Sequence, residues 1–158
     1  MRKCVRCGRS GLQKVETEQT LTAAGRTFTK SIEARRCGSC GETYLPALAL
    51  ARLELEAAYW LTRNQPAPSG EAFRFVRKAL GLPGNELAHL LGVAPATLCR
   101  WEKGKMPVQM LPWAFVALLV SDELAGRRRT RDVLETMRQA RPPSKGRVRL
   151  PDLVPEPT

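Results

Sequence analysis

Four of the five cysteines fall in two copies of one short pattern, Cys4-Val-Arg-Cys7-Gly8 and Cys37-Gly-Ser-Cys40-Gly41. Two residues between paired cysteines let a tight turn aim both sulfurs at one point, and the glycine that follows tolerates positive φ. Two such turns complete a tetrahedron, so Cys4, Cys7, Cys37 and Cys40 are the predicted ligands of one Zn2+. A sphere of four thiolates is closed and leaves no position for an activated water, so the ion is expected to be structural. The competing reading is a pair of reduced dithiols or a redox centre, but thioredoxin-like motifs come singly at a βα junction. Cys99 stands apart in a predicted helix and is read as a small packing or half-exposed residue without chemistry.

The compartment decides how such cysteines are read. No stretch approaches roughly 18 uninterrupted apolar residues, and the start, Met1-Arg-Lys-Cys-Val-Arg-Cys7, lacks the apolar core of a signal peptide. The chain is therefore expected in the cytoplasm, away from membranes, where thiols stay reduced and ligate metal rather than pair as disulfides. Twenty-six basic against 15 acidic side chains give a formal charge of +11. That excess suits a polyanionic partner such as nucleic acid, and four metal-bound thiolates would trim it by about two.

Between the cysteine pairs, Lys14 to Thr22 and Thr27 to Arg36 alternate around Ala23-Ala24-Gly25-Arg26, which predicts a β-hairpin. Pro46 to about Thr62 is rich in Ala and Leu without an internal breaker and predicts one helix, with Pro46 in its first turn. Leu50, Leu53, Ala57 and Leu61 lie along one side of it and Leu48, Leu55 and Tyr59 along another, so a second packing contact is expected. Asn64 to Gly70 gathers breakers and small residues and is the predicted linker. Five short helices follow, at roughly 71–80, 84–91, 95–103, 110–121 and 129–140. The expected fold is thus mainly α: a zinc-bound hairpin domain with one helix (1–63), a linker (64–70), a five-helix domain (71–141) and a basic, Pro-rich tail (142–158) expected to be disordered.

The segment Leu82 to Gly104 has the layout of a helix-turn-helix. Leu87, Ala88 and Leu91 are read as facing inward from its first helix, Gly92 as the turn, Val93 as the corner plug, and Leu98 and Trp101 as anchors of the second helix. Pro95 opens that second helix and leaves Ala96, Thr97 and Arg100 on its outer side at one-turn spacing. The guanidinium of Arg100 matches guanine O6 and N7 with two parallel hydrogen bonds, Thr97 suits a phosphate or a thymine methyl, and Lys103 and Lys105 suit backbone phosphates. Arg77 and Glu102 fall off the groove face and are read as a structural ion pair. His89, the single histidine, is read as a surface residue. With one histidine, no nucleophile dyad and no phosphate-binding glycine loop, an enzyme is not expected.

In order, a CxxCG, a hairpin, a second CxxCG, a helix and then Leu91-Gly-Val...Leu98-Cys-Arg-Trp-Glu-Lys-Gly104 resemble the MqsA family of antitoxins over roughly residues 4 to 121. The resemblance implies a four-cysteine zinc domain that masks a protein toxin, followed by an Xre-type helix-turn-helix domain that dimerises on a palindromic operator and represses its own operon. It also implies an Asn and an Arg facing the bases. The Arg matches Arg100, whereas the Asn position holds Ala96, so one adenine contact is lost or replaced. Gly84 and Ala94 stand where Gln or Ser is usual. The alternatives are a stand-alone zinc-containing regulator and a zinc-ribbon RNA-binding or scaffold protein. The arginine-rich end, Arg127 to Arg131 and Arg138 to Arg149, is expected to strengthen nonspecific phosphate binding.

Overall fold

The computed structural model describes residues 3–140, so the tail assigned to 142–158, like Arg141 at the expected domain end, lies outside the described residues. Three strands precede six helices: β1 (Leu12–Ala23), β2 (Arg26–Cys37), β3 (Thr43–Tyr44), α1 (Ala49–Asn64), α2 (Gly70–Ala79), α3 (Gly84–Leu91), α4 (Pro95–Glu102), α5 (Met110–Leu124) and α6 (Arg129–Gln139). The fold is mainly α with a three-stranded antiparallel sheet in the order β1-β2-β3.

The hairpin pairs without a break from Leu12↔Cys37 to Ala23↔Arg26; at its open end β1 is two residues and β2 one residue longer than the alternation predicts, and each strand gains one residue at the turn. Ala24 and Gly25 alone close it, at φ 51° and 71°. A two-residue loop with both residues at positive φ follows the right-handed twist of the strands, and it places an alanine in a conformation that usually falls to Gly or Asn. Strand alternation turns Val15, Thr17, Leu21 and Ala23 of β1 and Phe28, Ile32 and Ala34 of β2 away from solvent to differing degrees. β3, which the sequence did not suggest, adds to the other edge of β2 through Arg35↔Tyr44 and Arg36↔Thr43.

α1 begins three residues later than expected. Pro46 lies in the preceding turn, where its carbonyl accepts the Ala49 amide at 3.0 Å, and the helical ladder starts at the Leu48 carbonyl. α1 has two packing contacts, but they divide its residues differently from the expected sides: Leu61 goes with Leu55 rather than with Leu53 and Ala57, and Tyr59 is exposed. Leu55, Ala58 and Leu61 enter one hydrophobic cluster with Phe73, Val76, Leu87, Trp101, Trp113 and Val116 of the later helices. Leu53 and Ala57 instead face the hairpin across a groove they share with Phe28 and Trp60. Leu48 and Leu50 stay exposed. Burial of Leu55 and Leu61 stabilises the association of α1 with the helices by roughly 1.5–3 kcal/mol each. Polar contacts fix the same joint: Arg52 donates to the Leu124 carbonyl at 3.2 Å, and the Trp113 indole donates to the Gln65 carbonyl at 2.7 Å.

α2 to α6 agree with the expected helices within one residue except at the end of α5, which continues to Leu124. Ser69 caps α2 by accepting the Ala72 amide at 3.1 Å. The next residue is tightly constrained, because a Cβ on Gly70 would lie 2.3 Å from the Trp101 carbonyl oxygen and 2.8 Å from the Gly104 nitrogen. Those are backbone atoms at the end of α4 and cannot rotate away. Gly70→Ala, which would normally favour a helix, is therefore expected to destabilise the protein by about 3 kcal/mol in urea unfolding. A neutral or stabilising result would show that α2 and α4 can part without cost. Among the described residues no helix is long and apolar enough to cross a membrane.

Candidate metal centre and candidate nucleic-acid interface

The two cysteine turns are built alike. In the first, the Cys4 amide donates to the Arg9 carbonyl at 2.9 Å and the Gly8 amide to the Cys4 carbonyl at 2.8 Å. In the second, the Cys37 amide donates to the Glu42 carbonyl at 2.8 Å and the Gly41 amide to the Cys37 carbonyl at 2.9 Å. Gly8 and Gly41 take φ of 70° and 74°, a conformation without strain only for glycine. The hairpin register brings the turns together, since Leu12, just after the first, pairs with Cys37, which begins the second. Arg6 and Glu42 bridge them on the outside at 2.8 Å.

The four sulfurs all lie within 4.8 Å of one another, with Cys4 and Cys40 at 3.5 Å and Cys7 and Cys37 at 3.7 Å. A tetrahedral ion with metal–sulfur bonds of about 2.3 Å needs sulfurs about 3.8 Å apart, so these residues fit one metal ion. Cys4 and Cys37 are buried, while Cys7 and Cys40 are exposed. Their proton affinities are split. The Tyr44 hydroxyl, above all, holds the Cys4 thiol down to about 6. For Cys40 the Glu42 amide lowers the value, but burial and the sulfurs of Cys4, Cys7 and Cys37 outweigh it and push the thiol up to about 12. Sulfurs this close resist full ionisation together, which is the repulsion that a divalent cation offsets.

Tyr44 was not anticipated from sequence. Its hydroxyl lies 3.1 Å from the Cys4 sulfur and accepts the amides of Val5 at 3.1 Å and Arg6 at 3.3 Å. No spacing rule flags a tyrosine four residues after Cys40, the last cysteine of the cluster. Only the pairing of β3 with β2 delivers it there.

The second cluster of expected residues lies on and after α4. Pro95, Ala96, Arg100, Lys103 and Lys105 are exposed and Thr97 is half-buried. Arg100 follows Ala96 by four residues and Thr97 by three, so the three share one side of the helix. Leu98 and Trp101 are buried on the opposite side, where Trp101 meets Phe73 edge to face at 5.7 Å. The Trp101 indole N–H is enclosed without a hydrogen-bond partner. Within α3, Leu87, Ala88 and Leu90 are buried, whereas Leu91 is only half covered. Gly92 ends α3 in the left-handed conformation at φ 68°. Cys99 is exposed.

Arg77 and Glu102 meet in a two-pronged pair, Nε to Oε1 at 2.5 Å and Nη2 to Oε2 at 3.2 Å, with each side chain 13% exposed. The remaining guanidinium nitrogen donates to the Leu82 carbonyl at 2.8 Å. One arginine thus joins α2, the loop before α3 and the end of α4. α6 braces the other side of α3: Arg131 pairs with Glu86, and Arg138 Nη2 lies 3.1 Å from Nδ1 of the exposed His89.

No curated protein matches the chain significantly. The family described as the antitoxin component of a bacterial toxin-antitoxin system, MqsA, matches residues 1–137. The match takes in both the cysteine cluster and the helices up to α6, and the chain belongs to that antitoxin family.

Proposed function

We propose that this protein is a non-enzymatic, cytoplasmic antitoxin that represses transcription of its own operon. In this reading residues 1–63 form a zinc unit that receives a protein toxin, 64–70 a linker, 71–141 a five-helix, Xre-like helix-turn-helix unit and 142–158 a basic tail. Cys4, Cys7, Cys37 and Cys40 hold one structural Zn2+, whose closed sulfur sphere supplies rigidity and no chemistry at an open position. α3 and α4 are the helix-turn-helix, and two copies of the chain set their α4 helices in successive major grooves of a palindromic operator.

One observation carries the DNA-binding part. α4 is anchored from behind by Leu98, Trp101 and the Arg77–Glu102 pair, while its outer side presents Arg100 one turn beyond Ala96 and Thr97. A rod so held can direct a single guanidinium at a base edge with little loss of side-chain freedom elsewhere. Lys103 and Lys105, exposed just after α4, are positioned in sequence to meet phosphates as the backbone passes. With Ala96 in place of the family's Asn, one adenine contact is lost or replaced, and Arg100 is the base reader that remains of the pair.

Arg100→Ala is expected to weaken operator binding by about 1 to 3 kcal/mol while thermal stability stays unchanged. Fluorescence anisotropy on operator and on scrambled DNA of equal length separates the outcomes. Equal losses on both would mean that Arg100 touches only the backbone. Co-purification of the protein with products of its native operon, followed by mass spectrometry, tests for the toxin. Recovery of the antitoxin alone at stoichiometric expression would favour a stand-alone regulator.

A further inference from the structure

The two cysteine turns, alike in backbone, differ in how their first sulfur is held. In the second turn the amides of Cys40 and Ser39 both point at the Cys37 sulfur. In the first, the Cys7 amide reaches the Cys4 sulfur, but the Arg6 amide, which corresponds to Ser39, goes to the Tyr44 oxygen together with the Val5 amide. An oxygen that accepts two amides has its own O–H free to donate, and the Cys4 sulfur lies 3.1 Å away. We propose that Tyr44 is a positioning residue of the metal centre, a hydroxyl relay that replaces the missing amide of the first turn and ties Cys4 to the sheet.

The chemistry follows from hydrogen-bond inventory. A metal-bound cysteine is a thiolate, an acceptor of several hydrogen bonds, and each donor drains charge from the sulfur and fixes its direction. Tyr44 belongs to β3, which pairs with Arg35 and Arg36 on the strand that leads into Cys37. Its side chain therefore spans from one turn to the other, so the first turn is aligned by a side chain anchored beside the second. Arg6–Glu42, which also links the turns, is exposed and contributes little against solvent. The role assigned to Tyr44 rests on the metal reading of the four cysteines.

The test uses the full chain loaded with Zn2+ and, in parallel, with Co2+. Tyr44→Phe keeps the ring and deletes the hydroxyl, and competition against a chromogenic chelator is expected to show zinc affinity lowered by roughly 10- to 100-fold. The sulfur-to-cobalt charge-transfer band should shift to lower energy, since a thiolate with one donor fewer gives up charge more readily; a role in packing alone would leave the band in place. If Tyr44→Phe fails to fold, 3-fluorotyrosine introduced at position 44 retains the hydroxyl as a stronger donor and should move the band to higher energy. An unchanged band in Tyr44→Phe, whether or not the affinity falls, or no shift with 3-fluorotyrosine, overturns the relay. Failure of the unsubstituted protein to retain zinc against the chelator would overturn the metal reading itself, and the relay with it.

Discussion

Cys37→Ser, or removal of the metal by a chelator, is expected to melt the two cysteine turns and the open end of the hairpin while α2 to α6 stay folded. Cys37 is the residue on which most depends, because it ends β2, begins the second turn and is 1% exposed. A two-stranded ribbon is marginal in water by itself, and the turns at its open end bury little apolar surface. Structural zinc contributes about 10–16 kcal/mol of apparent folding free energy in small zinc modules, as much as the whole stability of an ordinary domain. No contact of the hairpin approaches that. Ala23 is buried and Ala24 and Phe28 pack on the helical core, so the closed end should stay partly ordered after the open end is lost. In a 15N–1H correlation spectrum the resonances of the cysteine turns and of the strand residues beside them should collapse toward random-coil positions, and those of α2 to α6 should persist. Retention of dispersed resonances at that open end in metal-free protein would refute a structural role for the ion. On the proposed reading, toxin binding should be lost with the open end of the hairpin, whereas operator binding should fall much less.

Glu102→Ala is expected to destabilise the protein by about 3 kcal/mol, more than any exposed ion pair could account for. The substitution strands Arg77 at 13% exposure with two of its nitrogens unpaired and only the Leu82 carbonyl still served. An uncompensated charge at such a site costs more than the intact pair contributes, so the double substitution Arg77→Met with Glu102→Leu should recover most of the loss. Urea unfolding of Arg77→Met, Glu102→Leu and the double variant forms the cycle that isolates the coupling. A loss below about 1 kcal/mol in Glu102→Ala would mean that water reaches the pair and screens it. Because the pair fastens the end of α4, its removal should also loosen Arg100. Operator affinity measured well below the unfolding midpoint should therefore drop in Glu102→Ala and return in the double variant.

The features that were legible in sequence are those written in local pattern. The cysteine turns, the hairpin alternation and the breakers between helices repeat at fixed short spacings, and their elements appear close to where those spacings put them. What escaped notice depends on neighbours distant in sequence. β3 is two residues long and exists through its pairing with Arg35 and Arg36, so it leaves no alternation to detect. Leu90 is buried and Leu91 only half covered; α6 packs against α3, and nothing in the α3 sequence announces that helix. Gly70 resembles an ordinary linker glycine until the α4 backbone is seen against it. Tyr44 resembles a strand residue until its hydroxyl is seen at Cys4. Pro46, favourable in a first helical turn, sits instead one turn early, a boundary error that propensity alone could not prevent.

α1 lends one flank to the ribbon and the other to the bundle, so it acts as a keel common to both ends. A protease nick or an engineered cut between residues 64 and 70 would not release two self-sufficient halves. The later fragment would bare the greasy seat that Leu55, Ala58 and Leu61 occupy, and the earlier one would carry a helix with nothing to lean on. Shuffling of such front and rear pieces among related chains can succeed only when the keel travels with a seat cut to match it.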